Sequence, residues 1–102
     1  MAVLNSTPPD KLVDARGRPY FLWDMDMDLD GFRVRLADPD LRIRAYFAGK
    51  LLRQAKPDDV FLFISAEEIA LLWPRLKTYL GRTGPFWAWF LEQWEAMGHV
   101  RR

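Results

Sequence analysis

Cysteine is absent from this 102-residue chain. Disulfide stapling and thiolate metal sites are therefore excluded, and a reducing cytoplasm is the expected compartment. Histidine occurs once, as His99, near the C-terminus. Ser6 lies in a segment without periodicity and Ser65 reads as a helix cap. No nucleophile has a base beside it, so a non-enzymatic role is expected. The paired acids Asp58-Asp59 and Glu67-Glu68 are sequence neighbours. Neighbours point apart on a helix, and both pairs suit helix starts better than a catalytic dyad. A glycine-rich phosphate loop is missing, and no cofactor is expected. The longest apolar run, residues 86–91, is far shorter than the roughly 20 residues that cross a bilayer. The N-terminus has neither the charged start nor the apolar stretch of a secretory leader, and no repeat is visible.

Apolar bulk is what the chain has. Half of it is hydrophobic, and five Trp, seven Phe and three Tyr contribute 15% aromatics. Each buried aromatic removes on the order of 150–250 Å² from water, enough to fill one small core. One domain is expected over residues 19–98. Residues 1–18 have no sustained period and read as a flexible tail, and residues 99–102 as a frayed end.

The periodicity predicts an all-α protein, a compact bundle of about five short helices with an extended N-terminal segment. That segment is Pro19-Tyr20-Phe21-Leu22-Trp23-Asp24, whose aromatics plug the core. The alternation of Met25, Met27 and Leu29 with Asp is strand-like, but no second strand is available to pair with it. A turn into a helix over residues 29–37 is preferred, with Asp28 or Asp30 as N-cap. Asp38 and Pro39 suit the start of a second helix, about residues 39–55. There Leu41, Ala45, Ala48, Leu52 and Ala55 repeat at helical steps, with Arg42, Gly49, Lys50 and Arg53 mostly opposite. Asp58-Asp59 begins a short helix over 60–64. Ser65 and Glu68 stand in capping-box spacing before another that carries Ile69, Leu72 and Trp73 and meets Pro74. The last helix follows Thr83 or Gly84, with Pro85 near its first position and Gly98 beyond its end. Phe86, Trp89, Phe90, Trp94 and Met97 share its expected core face, which leaves Trp87 as the expected exposed anchor for a protein interface.

Asp26-Met27-Asp28-Leu29-Asp30-Gly31 matches the first half of an EF-hand calcium loop. The twelfth position, which should be Glu, is Ala37, and the apolar eighth is Arg33. Asp26, Asp28 and Asp30 thus rank below a structural reading as an acidic helix start that favours the helix dipole.

Charge is banded although the net is only +1. Residues 20–30 hold four Asp and no base, residues 31–57 seven bases against two acids, and residues 58–73 four acids and no base. Such banding favours oriented docking on a macromolecule. Arg42, Lys50 and Arg53 are the candidate interaction residues, with Trp87 as apolar anchor. They also permit an alternative reading as a small helical DNA-binding regulator. Against that, the helices that follow are acidic or aromatic, and the net charge is low for such a domain.

Tyr20-Phe21-Leu22-Trp23-Asp24, Val60 after paired acids, Trp73-Pro74-Arg75-Leu76, and Trp87 with Leu91 and Trp94 resemble a group of short bacterial proteins of unknown function. Those proteins begin with an aromatic-Leu-Trp-Asp box and are often encoded beside nucleotidyltransferase-type toxins. The resemblance covers about residues 19–95 and is carried mainly by aromatic core positions; the Asp-Met alternation departs from it. It implies an antitoxin-like or regulatory role through contact with such a protein, and it assigns no catalytic residue.

Overall fold

The computed structural model describes residues 6–100. Among them are six α-helices and no strands: α1 (Pro9–Leu12), α2 (Leu29–Leu36), α3 (Leu41–Gln54), α4 (Pro57–Val60), α5 (Ala66–Leu76) and α6 (Gly84–Ala96). Short 3₁₀ turns occupy Tyr20–Leu22, Lys77–Tyr79 and Gly81–Thr83. The radius of gyration of 13.5 Å is what a folded domain of this length requires.

Side-chain caps set the starts of the longer helices. The Asp28 carboxylate accepts from the Gly31 N–H and opens α2. Asp40, rather than Asp38, accepts from the Arg42 N–H and opens α3. Asp38 instead accepts from the Asp40 N–H, just ahead of the helix. Ser65 and Glu68 close the expected capping box at α5. Pro74 does not end α5, which runs on to Leu76 and tightens into the turn Lys77–Tyr79. Beyond α6, Gly98 adopts a positive φ of 78°. The Gly98 N–H donates to the Glu95 carbonyl and the His99 N–H to the Trp94 carbonyl, the Schellman closure. At this end, where fraying is the expectation, Val100 is buried.

α3 is the axis of the domain. It packs against α2, α4, α5 and all three 3₁₀ turns. Its Ala45, Ala48, Leu51 and Leu52 meet Phe21, Phe32, Ile69, Leu72, Leu76 and Leu91 in one core. Contacts on most sides also bury Gly49 and Lys50, which sequence periodicity puts on the outer face. A Cβ on Gly49 would lie 2.8 Å from the Tyr79 Cβ, so only glycine lets the turn Lys77–Tyr79 approach α3 this closely.

The N-terminal region departs from the expected extended strap. Tyr20–Leu22 is a 3₁₀ turn, with Phe21 and Leu22 in the core. Before it, where no element is expected, α1 buries Leu12, and a single antiparallel bridge joins Val13 to Pro19. Thr7 donates to Asp59 through both its N–H and its hydroxyl, each at 2.6 Å.

Candidate interaction surfaces

A 3₁₀ turn eclipses residues three apart, so Tyr20 and Trp23 share its outer side. Trp23 is 77% exposed, the most exposed large apolar residue among those described. Its backbone is held firmly on both sides. The Gln54 amide donates to the Phe21 carbonyl at 2.6 Å, and the Lys50 ammonium pairs with Asp24. The Lys50 ammonium beside Asp24 holds that carboxyl below its usual range. Lys50 itself is only 5% exposed, so it serves this internal pair and not the expected basic surface.

A second anchor lies at Asp59, which is fully buried. The Tyr20 hydroxyl donates to it at 2.5 Å and also accepts from the Lys56 N–H at 2.8 Å. Burial alone pulls the Asp59 carboxyl upward; hydrogen bonds from Thr7 and Tyr20 outweigh it, and the group sits below its ordinary value. Burial, with the adjoining carboxylate, raises the Tyr20 phenol. Both clusters fasten the N-terminal third of the chain to α3 and α4.

α6 buries a different stripe from the one expected: Phe90 and Trp94 pack half-buried against the core, but Phe86, Trp89 and Met97 do not. Trp87 is 1% exposed, and its indole N–H donates to the Leu52 carbonyl at 3.0 Å. It is a core residue, which corrects its assignment as an exposed anchor. Trp89 is 54% exposed, and Phe86 and Met97 are exposed too. Phe86, Trp89 and Trp94 all contact Phe90, with ring centroids 5.6, 6.1 and 4.1 Å away. Phe61 closes the cluster against Trp94 at 5.3 Å. The result is a continuous aromatic ladder along α6, half of it open to water.

The arginine band is not one patch. Arg42 is exposed and lies 3.4 Å from Asp40. Arg53 is exposed and hydrogen-bonds to Gln54. They stand three turns apart on α3, about 16 Å along its axis. Tyr46 and Gly49 lie between them on that face; Tyr79 packs over Gly49, and its ring is 5.4 Å from that of Tyr46, which stays exposed. Arg33 and Arg44, by contrast, share a recess with Leu36, Ala37, Phe63 and Glu68.

The acidic run turns its carboxylates to other uses. Asp28 caps α2, and Asp26 points toward Arg18 at 3.7 Å. Among the described residues, no three His, Asp or Glu side chains converge as metal ligands. No helix among them is long and apolar enough to cross a membrane. Compared with protein-family models, with curated proteins and with solved structures, the chain matches none.

The sequence reading missed Trp23 and the ladder. The signal for α6 was present: Leu80, Gly84, Trp87, Leu91 and Trp94 recur at steps of four, three, four and three. That is the register that marks the buried stripe of α3. In a helix apolar nearly all round, the bulkier stripe masked it.

Proposed function

We propose that this chain is a non-catalytic protein-interaction module, antitoxin-like or regulatory, that engages a nucleotidyltransferase-type partner. The observation that carries the interaction reading is the aromatic ladder of α6, in which exposed Phe86 and Trp89 lie against Phe90, and Phe90 and Trp94 are themselves packed on the core. Exposed aromatics on a rigid scaffold are what interface hot spots are made of, because little side-chain entropy remains to be lost on binding. Trp23 supplies a second such anchor on a turn clamped by Lys50 and Gln54. The class of partner rests on the resemblance of the aromatic-Leu-Trp-Asp box and the matching tryptophans.

The test is co-expression with the product of the adjacent gene. Retention of a nucleotidyltransferase-type protein at micromolar concentration, with at least tenfold weakening by Trp89→Ala or Trp23→Ala, supports the reading. No complex with a chain shown to be folded overturns it. Salt-dependent binding to duplex DNA, lost in Arg42→Ala and Arg53→Ala, would replace it with the regulator reading.

A further inference from the structure

We propose that the recess between α2 and the start of α5, lined by Arg33, Arg44 and Phe63, is a binding site for a carboxylate. It is an open cavity of about 390 Å³ whose remaining walls are Leu36, Ala37 and Glu68. That volume lies at the small end of ligand sites.

The two guanidinium groups are under-used. Arg44 Nε is buried and has no hydrogen-bond partner. The one ion pair of Arg44 among the described residues is with Glu68, whose Oε2 lies 3.8 Å from Nη2. That is ion-pair range but beyond hydrogen-bond range. The other Glu68 oxygen, Oε1, is engaged in the capping box, accepting from the Ser65 N–H at 3.5 Å and the Ser65 hydroxyl at 3.3 Å. Arg33 forms no ion pair among the described residues. Its guanidinium lies over the Phe63 ring, 4.8 Å from the centroid, which orients the fork without occupying its donors.

Two planar donor forks beside one tethered carboxylate leave the site one positive charge in excess. Guanidinium geometry matches a carboxylate or a phosphate. The single excess charge selects the monoanion, since a phosphate dianion would stand unbalanced against Glu68. The apolar walls of Leu36, Ala37 and Phe63 suit the methylene stem of such an acid. A partner's acidic side chain or chain end, or a free carboxylic acid, presents the same group. The site stands independently of the aromatic ladder.

The experiment follows the Arg33 and Arg44 Nε–Hε signals by nitrogen-15 NMR in the full chain. N-acetylglutamate amide, N-acetylglycine and butyrate serve as monoanionic probes, with chloride at matched ionic strength and inorganic phosphate as controls. A saturable shift of both signals with carboxylates, absent with chloride, is the expected result. The best of the three carboxylates identifies the source as side chain, chain end or free monocarboxylic acid. Arg33→Gln, on an exposed position, should weaken binding about tenfold, the effect of one lost charged hydrogen bond. Glu68→Gln keeps the capping-box geometry but removes the competing charge, and should tighten binding several-fold. Equal shifts with chloride, tighter binding of phosphate than of any carboxylate, or weaker binding in Glu68→Gln would each overturn the assignment.

Discussion

The ammonium of Lys50, in the middle of α3, is ion-paired with the carboxylate of Asp24, 26 residues earlier and directly after Trp23. The two partners are not equivalent. The Lys50 side chain is 5% exposed and that of Asp24 30%. Asp24→Ala leaves a buried cation with only Gln54 and the Tyr46 ring beside it, and should cost about 3 kcal/mol. Lys50→Met removes the buried charge and leaves an acid that water reaches, at a cost of about 1 kcal/mol or less. Urea denaturation of the two variants checks the asymmetry; equal losses would contradict it.

The two tryptophans of α6 separate core from surface. Trp87→Ala deletes a buried indole and its hydrogen bond to Leu52, and should cost about 3–5 kcal/mol. In a domain of this size each kcal/mol lowers Tm by about 4–8 °C, so this variant should melt far below the parent. Trp89→Ala should stay within about 0.5 kcal/mol. Thermal melts followed by circular dichroism distinguish them.

Much of this fold was legible in local chemistry. Asp28, Ser65 with Glu68, and Gly98 act within four residues of their positions in the chain, and each sits where a cap or a stop was expected. Features decided by distant partners were not legible. Nothing near Lys50 in sequence announces Asp24, and nothing near Asp59 announces Thr7, 52 residues away. The same limit applies to the candidate surfaces. Whether Trp87 or Trp89 faces inward depends on which side of α6 meets the Leu52 carbonyl. In a helix apolar on both sides, that choice is made by the neighbours.

The Asp59 anchor predicts a stability plateau with two edges. The folded Asp59 carboxyl lies below its ordinary value, so its contribution is present above about pH 4 and is lost as pH falls through the folded value. The Tyr20 phenol is raised, so its contribution is present below about pH 10 and is lost as pH rises through the folded value. Urea midpoints measured from about pH 3 to pH 11 should fall at both ends. Asp59→Asn should reduce the acid edge, to which Asp24 also contributes, and Tyr20→Phe should reduce the alkaline one. A parent profile with no alkaline edge would contradict the role of Tyr20.

Gly49→Ala reverses the usual rule for a helix interior. Alanine raises intrinsic helix stability by about 1 kcal/mol over glycine. Here the new methyl would meet the Tyr79 Cβ, an atom too close to the backbone to swing aside. Overpacking of this kind costs about 1–3 kcal/mol, so the net change should be destabilising. A higher melting temperature in Gly49→Ala would show that the turn Lys77–Tyr79 stands off α3.

The double grip of Thr7 on Asp59 bears on how the protein should be handled. An expression clone trimmed to begin at Pro8 strips two of the three side-chain-anchoring donors supplied by Thr7 and Tyr20, leaving a sequestered anion served by the phenol. Such a trimmed product should be poorly behaved in solution even though the whole predicted domain, residues 19–98, remains. A purification tag is better placed upstream of the first residue with no cut inside the opening segment.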